Sequence, residues 1–376
     1  MHTLTRFALV VAVTLMVGVG FVSAAPPKIK TLEIGATAPD FALPGVDGKV
    51  HRLADYDKAK VLVIVFTCNH CPTAQAYEKR IKKLVTDFKD KGVALVAISP
   101  NDAKAVRLDE LGYTDLGDSL EDMKLRARDK QFNFPYLYDG DRQEVSKAYG
   151  PVTTPHVFVF DSRRKLRFVG RVDNNERQPD KVTSRDTRNA IEALLAGNPV
   201  PIEKTKTMGC SIKWSSKRDS VRQAFEKWAK EPVSLQQMDL AGVKKLIAND
   251  SDKLRLINVW STRCGPCVIE FPQLVEINRM YRRRAFEMVS VNLDGPYARS
   301  AVQTFLRSKQ ASFTNMLYTG SDLYALIEAV DPDWPGAIPY TLLIKPGGEV
   351  LYRHLGMVDA LELKRTIVEF LGRTYK

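Results

Sequence analysis

The sequence predicts an α/β protein made of two tandem domains that share one pattern. Three observations carry this. Two Cys-X-X-Cys pairs, Cys68/Cys71 and Cys264/Cys267, stand 196 residues apart, each ending an apolar run (VLVIVFTCNHC and LRLINVWSTRCGPC). Each half later has an apolar strand opened by proline, TTPHVFVF at Pro155 and AIPYTLLI at Pro339. The stretches PHVFVFDSRRKLRFVGRV and PYTLLIKPGGEVLYRHLGMV also run in parallel, a repeat far too long for a solenoid. A chain of 376 residues accommodates two ordinary domains.

Taken in order, residues 32–58 are an extended lead-in with a turn at Asp47-Gly48. Residues 61–66 are apolar without alternation and rich in β-branched side chains, the mark of a strand buried on both faces. Pro72 suits a helix start, and Tyr77, Ile81, Leu84, Val85 and Phe88 form one apolar face before Gly92. Strand 93–99 follows, then a polar insertion with a helix over 119–131, the strand at Pro155, strand LRFVGRV and the helix TRNAIEALLAG, ending near Gly197. The second half repeats this order. Strand 254–260 leads to Cys264, and a helix with Val268, Phe271, Leu274, Val275 and Ile277 leads to strand FEMVSVNL. Helices near 298–309 and 321–329, the strand after Pro339, VLYRHLG and the helix ALELKRTIVEFLG complete it. The expected organisation is a domain over 30–197, a connector over 198–232 and a domain over 233–376. The connector contains the amphipathic DSVRQAFEKWAK, Cys210, Trp214 and Trp228 and no Gly/Ser-rich stretch, so it reads as ordered.

Residues 1–24 read as a secretory signal peptide: one Arg, the apolar stretch 7–22, and small residues at Ala24 and Ala25. An uncleaved membrane anchor is the alternative. Removal would take the net charge from +12 to +11, since Arg6 is the only charge in that segment. The basic clusters at Arg163–Lys165 and Arg282–Arg284 lack interleaved aromatics, so no nucleic-acid partner is expected, and membrane contact only through the leader. An exported chain can hold structural disulfides. Pairs three residues apart, however, close almost no loop and contribute little loop-closure entropy, so chemistry explains them better.

Disulfide exchange needs a thiolate attacker, a nearby resolving thiol and access for a partner. A Cys-X-X-Cys pair at a helix start supplies the first two, because the helix dipole stabilises a thiolate there. Cys68 and Cys264 are therefore expected to attack, with Cys71 and Cys267 resolving. His70 inside the first pair would stabilise a thiolate and make that couple more oxidising. It also makes Cys68, His70 and Cys71 a conceivable soft-metal, copper-binding set, or it is a solvent-facing residue without a role. Pro155 and Pro339, with cis peptide bonds before them, would lie near the dithiols and present backbone to an extended substrate. Cys210 is a third redox partner, a dimer-forming thiol or a buried small apolar residue.

On these residues the second half resembles TlpA/ResA-like thiol-disulfide oxidoreductases of exported bacterial proteins, through NVWSTRCGPCVIEFP, with Glu270 and Pro272, and AIPYTLLI, over about 233–373. Asn258 stands where thioredoxin has a buried Asp, which leaves Glu270 or water as proton acceptor. The first half resembles redoxins of the AhpC/TSA type through GATAPDFALPGVDGK and TTPHVFVFD, and more closely a thioredoxin-family group with CNHCP and a trailing GCSIKW. No Pro-X-X-X-Thr-X-X-Cys precedes Cys68, which counts against a peroxidase. The resemblance implies two tandem thioredoxin-like domains, each a central mixed sheet flanked by helices. It implies a periplasmic or otherwise extracytoplasmic thiol-disulfide oxidoreductase acting on protein thiols and disulfides. Antioxidant peroxide reduction by the first domain and metal binding at CNHC are the alternatives. No cofactor and no resident metal are expected. A division of labour is also expected, reductive at CGPC and more oxidising at CNHC, with electrons passing between the sites within one chain.

Overall fold

A computed structural model describes residues 29–375. The signal-peptide reading of residues 1–24 lies outside the described residues. Among those described, no helix is long and apolar enough to cross a membrane.

The lead-in forms a hairpin of β1 (Ala42–Pro44) and β2 (Val50–Arg52). Next come β3 (Val61–Phe66), α1 (Pro72–Phe88), β4 (Val93–Ser99), α2 (Leu120–Asp129), β5 (Tyr136–Tyr138) and α3 (Glu144–Tyr149). The half closes with β6 (Thr153–Thr154), β7 (His156–Phe160), β8 (Leu166–Gly170) and α4 (Asp186–Leu195). Its sheet has the order β5-β4-β3-β7-β8, with β3 parallel to β4 and antiparallel to β7. All six residues of β3 are buried because layers cover both faces: Val61, Val63 and Val65 meet one apolar cluster, Leu62, Ile64 and Phe66 the other.

The connector contributes β9 (Cys210–Ser211) and α5 (Arg218–Ala229). The second half runs β10 (Gln236–Met238), α6 (Leu240–Ala248), β11 (Leu254–Trp260), α7 (Gly265–Tyr281), β12 (Phe286–Asn292) and α8 (Arg299–Ser308). It ends with β13 (Thr314–Tyr318), α9 (Leu323–Val330), β14 (Tyr340–Ile344), β15 (Val350–Leu355) and α10 (Ala360–Leu371). Its sheet is also mixed, in the order β10-β13-β12-β11-β14-β15. Strand β11 occupies the place of β3, parallel to β12 and antiparallel to β14. The α/β class with mixed sheets flanked by helices is thus what the chain adopts. The sequence reading lacks α3, α6 and the strands β5, β6, β9, β10 and β13: α3 is a six-residue helix, and the strands are two to five residues long, β10, QQM, without apolar alternation.

The halves pack through the end of α7 and the polar insertion after β4. Tyr281 Oη donates to Thr114 O (2.8 Å), and Arg284 donates to Gly112 O (2.9 Å) and Gly372 O (2.7 Å) while stacking on Tyr113. Buried Asp115 pairs with Arg365 and Arg373, and Arg283 pairs with Asp109. Leu108 and Leu111 of the insertion pack against the second half's core.

His156, at the start of β7, is buried with its ring against Phe158 and its Nδ1 accepting the Val152 N–H at 3.3 Å. Desolvation lowers its pKa to about 4. The unfolded chain, with an ordinary pKa of about 6.5, binds the proton first, so this term leaves stability intact above about pH 6.5 and erodes it as pH falls towards 4, by roughly 3 kcal/mol in full. Urea titrations at pH 7 and pH 4.5 should show the wild type losing about 2 kcal/mol more than His156→Phe over that interval.

Candidate functional site

Both dithiols sit between the central strand of a sheet and the helix that follows, yet the helices start at different places. In the second half α7 begins at Gly265, so Cys264 is its N-cap and Cys264 Sγ accepts the Cys267 N–H at 3.2 Å. In the first half α1 begins at Pro72, and the N-cap is Cys71, whose Sγ accepts the Ala74 N–H at 3.4 Å. Proline supplies the reason: its fixed φ suits the first helical turn, and it directly follows Cys71 but lies between Cys264 and Cys267. The expectation that the leading cysteine stands at the helix start therefore holds for Cys264 and fails for Cys68.

The second site is open. Cys264 and Cys267 form a disulfide, Cys264 is half-buried, Gly265 and Pro266 are exposed, and Ile269 is 68% exposed beside them. The Ile338–Pro339 bond is cis, and Ile338 O lies 3.6 Å from Cys264 Sγ. Among the described residues no strand pairs with residues 336–338. Below the disulfide, Glu270 is buried, with its carboxylate accepting from Asn258 Nδ2 (2.9 Å) and Val358 N (3.0 Å). Burial outweighs these bonds and raises its pKa, which suits a group that holds and releases a proton near a dithiol.

The first site is closed. Cys68, His70 and Cys71 are 3%, 1% and 0% exposed. A solvent-facing His70 is thereby excluded. Asp118, from the polar insertion, accepts the backbone N–H groups of Asn69 (2.9 Å) and His70 (3.1 Å) on Oδ1, and its Oδ2 meets His70 Nδ1 (2.5 Å) and Asn101 Nδ2 (2.7 Å). Burial opposes charge on both partners, but their pairing prevails: Asp118 is held below the usual carboxylate range and His70 is raised. Burial also works to raise Cys71. Hydrogen bonds from Cys210 and Cys68, the His70 charge and the Ala74 N–H overcome it and hold Cys71 well below an ordinary thiol. Cys68 is pushed up by burial, by its bond to Cys71 and by Asp118. In this pair the second cysteine, Cys71, is therefore the better thiolate.

The connector closes this site. Strand β9 pairs antiparallel with β6, placing Cys210 opposite Thr154, the residue before the cis bond to Pro155. Cys210 N donates to Cys71 Sγ (3.3 Å), which also lies 3.1 Å from Thr154 O. Thr154 Oγ1 is 3.1 Å from Cys68 Sγ. Gly209 is required: its φ is +149°, and a Cβ there would lie 2.0 Å from Thr154 O. The strand edge expected to receive an extended substrate is occupied by the chain itself.

Outside these thiols lies a cavity of about 270 Å³ between the halves, lined by His70, Cys210, Lys213, Arg284 and Tyr375 among others. Among the described residues His70 Nε2 has no hydrogen-bond partner. Larger clefts of about 750 Å³ at Gln237–Lys245 and near Arg80 and Arg188 contain no cysteine, so they are separate from the chemistry. Cys68, His70 and Asp118 offer ligand atoms within 4.8 Å of one another. Coordination through His70 Nδ1 would have to replace its bond to Asp118. Asp118 and Asn101 are absent from the sequence reading, and no motif marks them; Thr154 lies in the TTPHVFVF motif, where the sequence reading assigned a role only to Pro155.

The two sites do not meet. Helix α7 carries Cys264 at its start, while Arg283 and Arg284, just past its end, line the cavity outside the first site. At 1.5 Å per residue its 17 residues separate them by about 25 Å. Electron passage between the sites within one chain, expected from the sequence, therefore has no direct thiol-to-thiol route in this arrangement.

Residues 34–169 and 231–353 each match the AhpC/TSA family. Thiol-disulfide oxidoreductase ResA of Geobacillus thermodenitrificans is 25% identical over 136 residues, 36% of this chain and 68% of that protein. ResA of Bacillus subtilis is 30% identical over 95 residues, 25% of this chain and 49% of that protein. The chain thus spans between 49% and 68% of the length of these curated relatives. Among solved structures, an uncharacterized conserved protein of Geobacillus kaustophilus is 40% identical, with TM-score 0.44, covering 49% of this chain and 93% of its own. A hypothetical protein of Sinorhizobium meliloti is 32% identical, with TM-score 0.44, covering 50% and 97%.

After reduction, Cys264 should react with a bulky maleimide at least about tenfold faster than Cys68 or Cys71, the ratio that an opening cost of only ~1.4 kcal/mol produces. Time-resolved alkylation read by peptide mass spectrometry checks this, and comparable rates would contradict the closed first site. Asp118→Asn should lower the His70 pKa and thereby raise that of Cys71. In a Cys264→Ser/Cys267→Ser background, thiolate absorbance against pH should move its lowest transition upward.

Proposed function

Because this chain belongs to the AhpC/TSA family along both of its halves, we propose that it is an exported thiol-disulfide oxidoreductase that exchanges disulfides with protein substrates. The observation that carries the proposal is the open Cys264–Cys267 disulfide, set at a helix start beside an unpaired backbone edge. A substrate thiolate attacks Cys264 Sγ, a bond to the substrate sulfur forms, and Cys267 leaves as a thiolate. The buried Glu270, one helical turn after Cys267, is placed to hand over or take up the proton as Cys267 cycles. In the reverse direction the Cys264 thiolate, stabilised as an N-cap, attacks a substrate disulfide and Cys267 resolves it. The name of the ResA relatives agrees with this chemistry. Residues 1–24 would direct the chain out of the cytoplasm.

The first site serves the same reaction class with a different poise. Its depressed thiolate is Cys71, and His70 with Asp118 stabilises the reduced form, which makes this couple the more oxidising of the two. A peroxide-reducing role is disfavoured at Cys68, because burial keeps that thiol protonated.

Reduced Cys267→Ser should attack protein disulfides in an extracytoplasmic extract and accumulate mixed disulfides that dithiothreitol releases, while Cys264→Ser should accumulate few. Equal trapping by both variants, or none by either, would refute exchange at this site.

A further inference from the structure

Of the three sulfurs in the first site, only Cys210 is half-exposed, and it is the only one that lines the cavity between the halves. Cys68 and Cys71 are sealed beneath it. The three form one cluster, with Cys71 between the others: Cys210 donates its backbone N–H to Cys71 Sγ at 3.3 Å, and both Cys68 and Cys71 contact Thr154. Its position does not result from a loose loop. Register fixes Cys210 opposite Thr154, Gly209 passes within contact of Thr154 O, and buried Ile212 and Lys213 anchor the next residues, with Lys213 N donating to Asn101 Oδ1 (2.9 Å). A cysteine is held where the sulfur of an incoming extended chain would stand.

We propose that the first site is a three-cysteine relay, in which Cys71 exchanges its disulfide between buried Cys68 and cavity-facing Cys210, so that outside partners react with Cys210. The inference rests on the first half being a thiol-disulfide site. From the Cys68–Cys71 disulfide, Cys210 attacks Cys71: the Cys71–Cys210 bond forms, the Cys68–Cys71 bond breaks, and the proton of Cys210 ends on Cys68. No electrons are gained or lost in that step. A thiol RSH in the cavity then attacks Cys210, forming R–S–S–Cys210 and expelling the Cys71 thiolate while its proton goes to solvent. A second RSH displaces Cys210, which is reprotonated, and RSSR departs. Two thiols have been oxidised and the original disulfide reduced. The low basicity of Cys71 suits it as the leaving group in the second step. The cavity, at about 270 Å³, admits a small thiol or an extended segment, not a folded surface.

The test uses the full chain with Cys264→Ser and Cys267→Ser, fully reduced and then treated with one equivalent of diamide. Acid quenching, alkylation and disulfide mapping should find both Cys68–Cys71 and Cys71–Cys210 linkages. Adding Cys68→Ser should leave Cys71–Cys210 alone. Reduction of the oxidised site by glutathione should be at least tenfold slower when Cys210→Ser is added. Cys68–Cys71 as the sole linkage, with an unchanged glutathione rate in Cys210→Ser, would overturn the relay and leave thiol-disulfide chemistry at the site standing. Absence of any linkage in the first mapping, which needs no change at the first site, would overturn both.

Discussion

The hydrogen bonds that Tyr281 and Arg284 make to the backbone of Thr114 and Gly112 determine how the two dithiols stand to each other and to solvent. They fasten the end of α7 to the insertion that carries Asp118, and so make one helix serve both sites. Its first residue follows Cys264, and the residues past its last turn wall the cavity over His70 and Cys210. A rigid helix cannot bring its two ends together. Walling the cavity outside the first site and separating that site from the second are therefore one structural fact, while β9 covers the thiols themselves.

The same strand, dithiol and helix give two different thiols because the helix starts at a different cysteine in each. Where Cys264 is the N-cap, the sulfur at the helix dipole is also the one at the surface, beside an unpaired backbone edge. Where Cys71 is the N-cap, that sulfur is buried, His70 and Asp118 supply charge beside it, and the chain's own β9 lies on the neighbouring edge. Hydrogen bonds and a preorganised charge act more strongly in a dry site than in water, which is why the bonds from Cys210 and Cys68, with the His70 charge added, hold Cys71 down although burial alone would raise it.

Much of the fold was legible. Strands β3 and β11 are continuous apolar runs because both faces are covered, and that pattern needs no alignment to be seen. The start of α1 after Cys71 was legible too, since Pro72 favours the first helical position, although the spacing of the cysteines drew attention to Cys68 instead. Asp118 was not legible. It lies 48 residues from His70 in an insertion without a motif, and only the packing of that insertion brings them to 2.5 Å. Strand β10 was missed for a related reason: a three-residue edge strand is defined by its neighbour β13, not by its own pattern.

The sequence by itself determined what depends on nearest neighbours along the chain: apolar runs that must be buried, prolines that start helices, and cysteines spaced to share one helix end. The tertiary structure alone decided which dithiol is open, which sulfur carries the charge, and that Cys210, 139 residues from Cys71, lies against it. Those outcomes depend on burial and on groups remote in sequence. Burial and long-range electrostatics are properties of the packed molecule, and no local pattern encodes them.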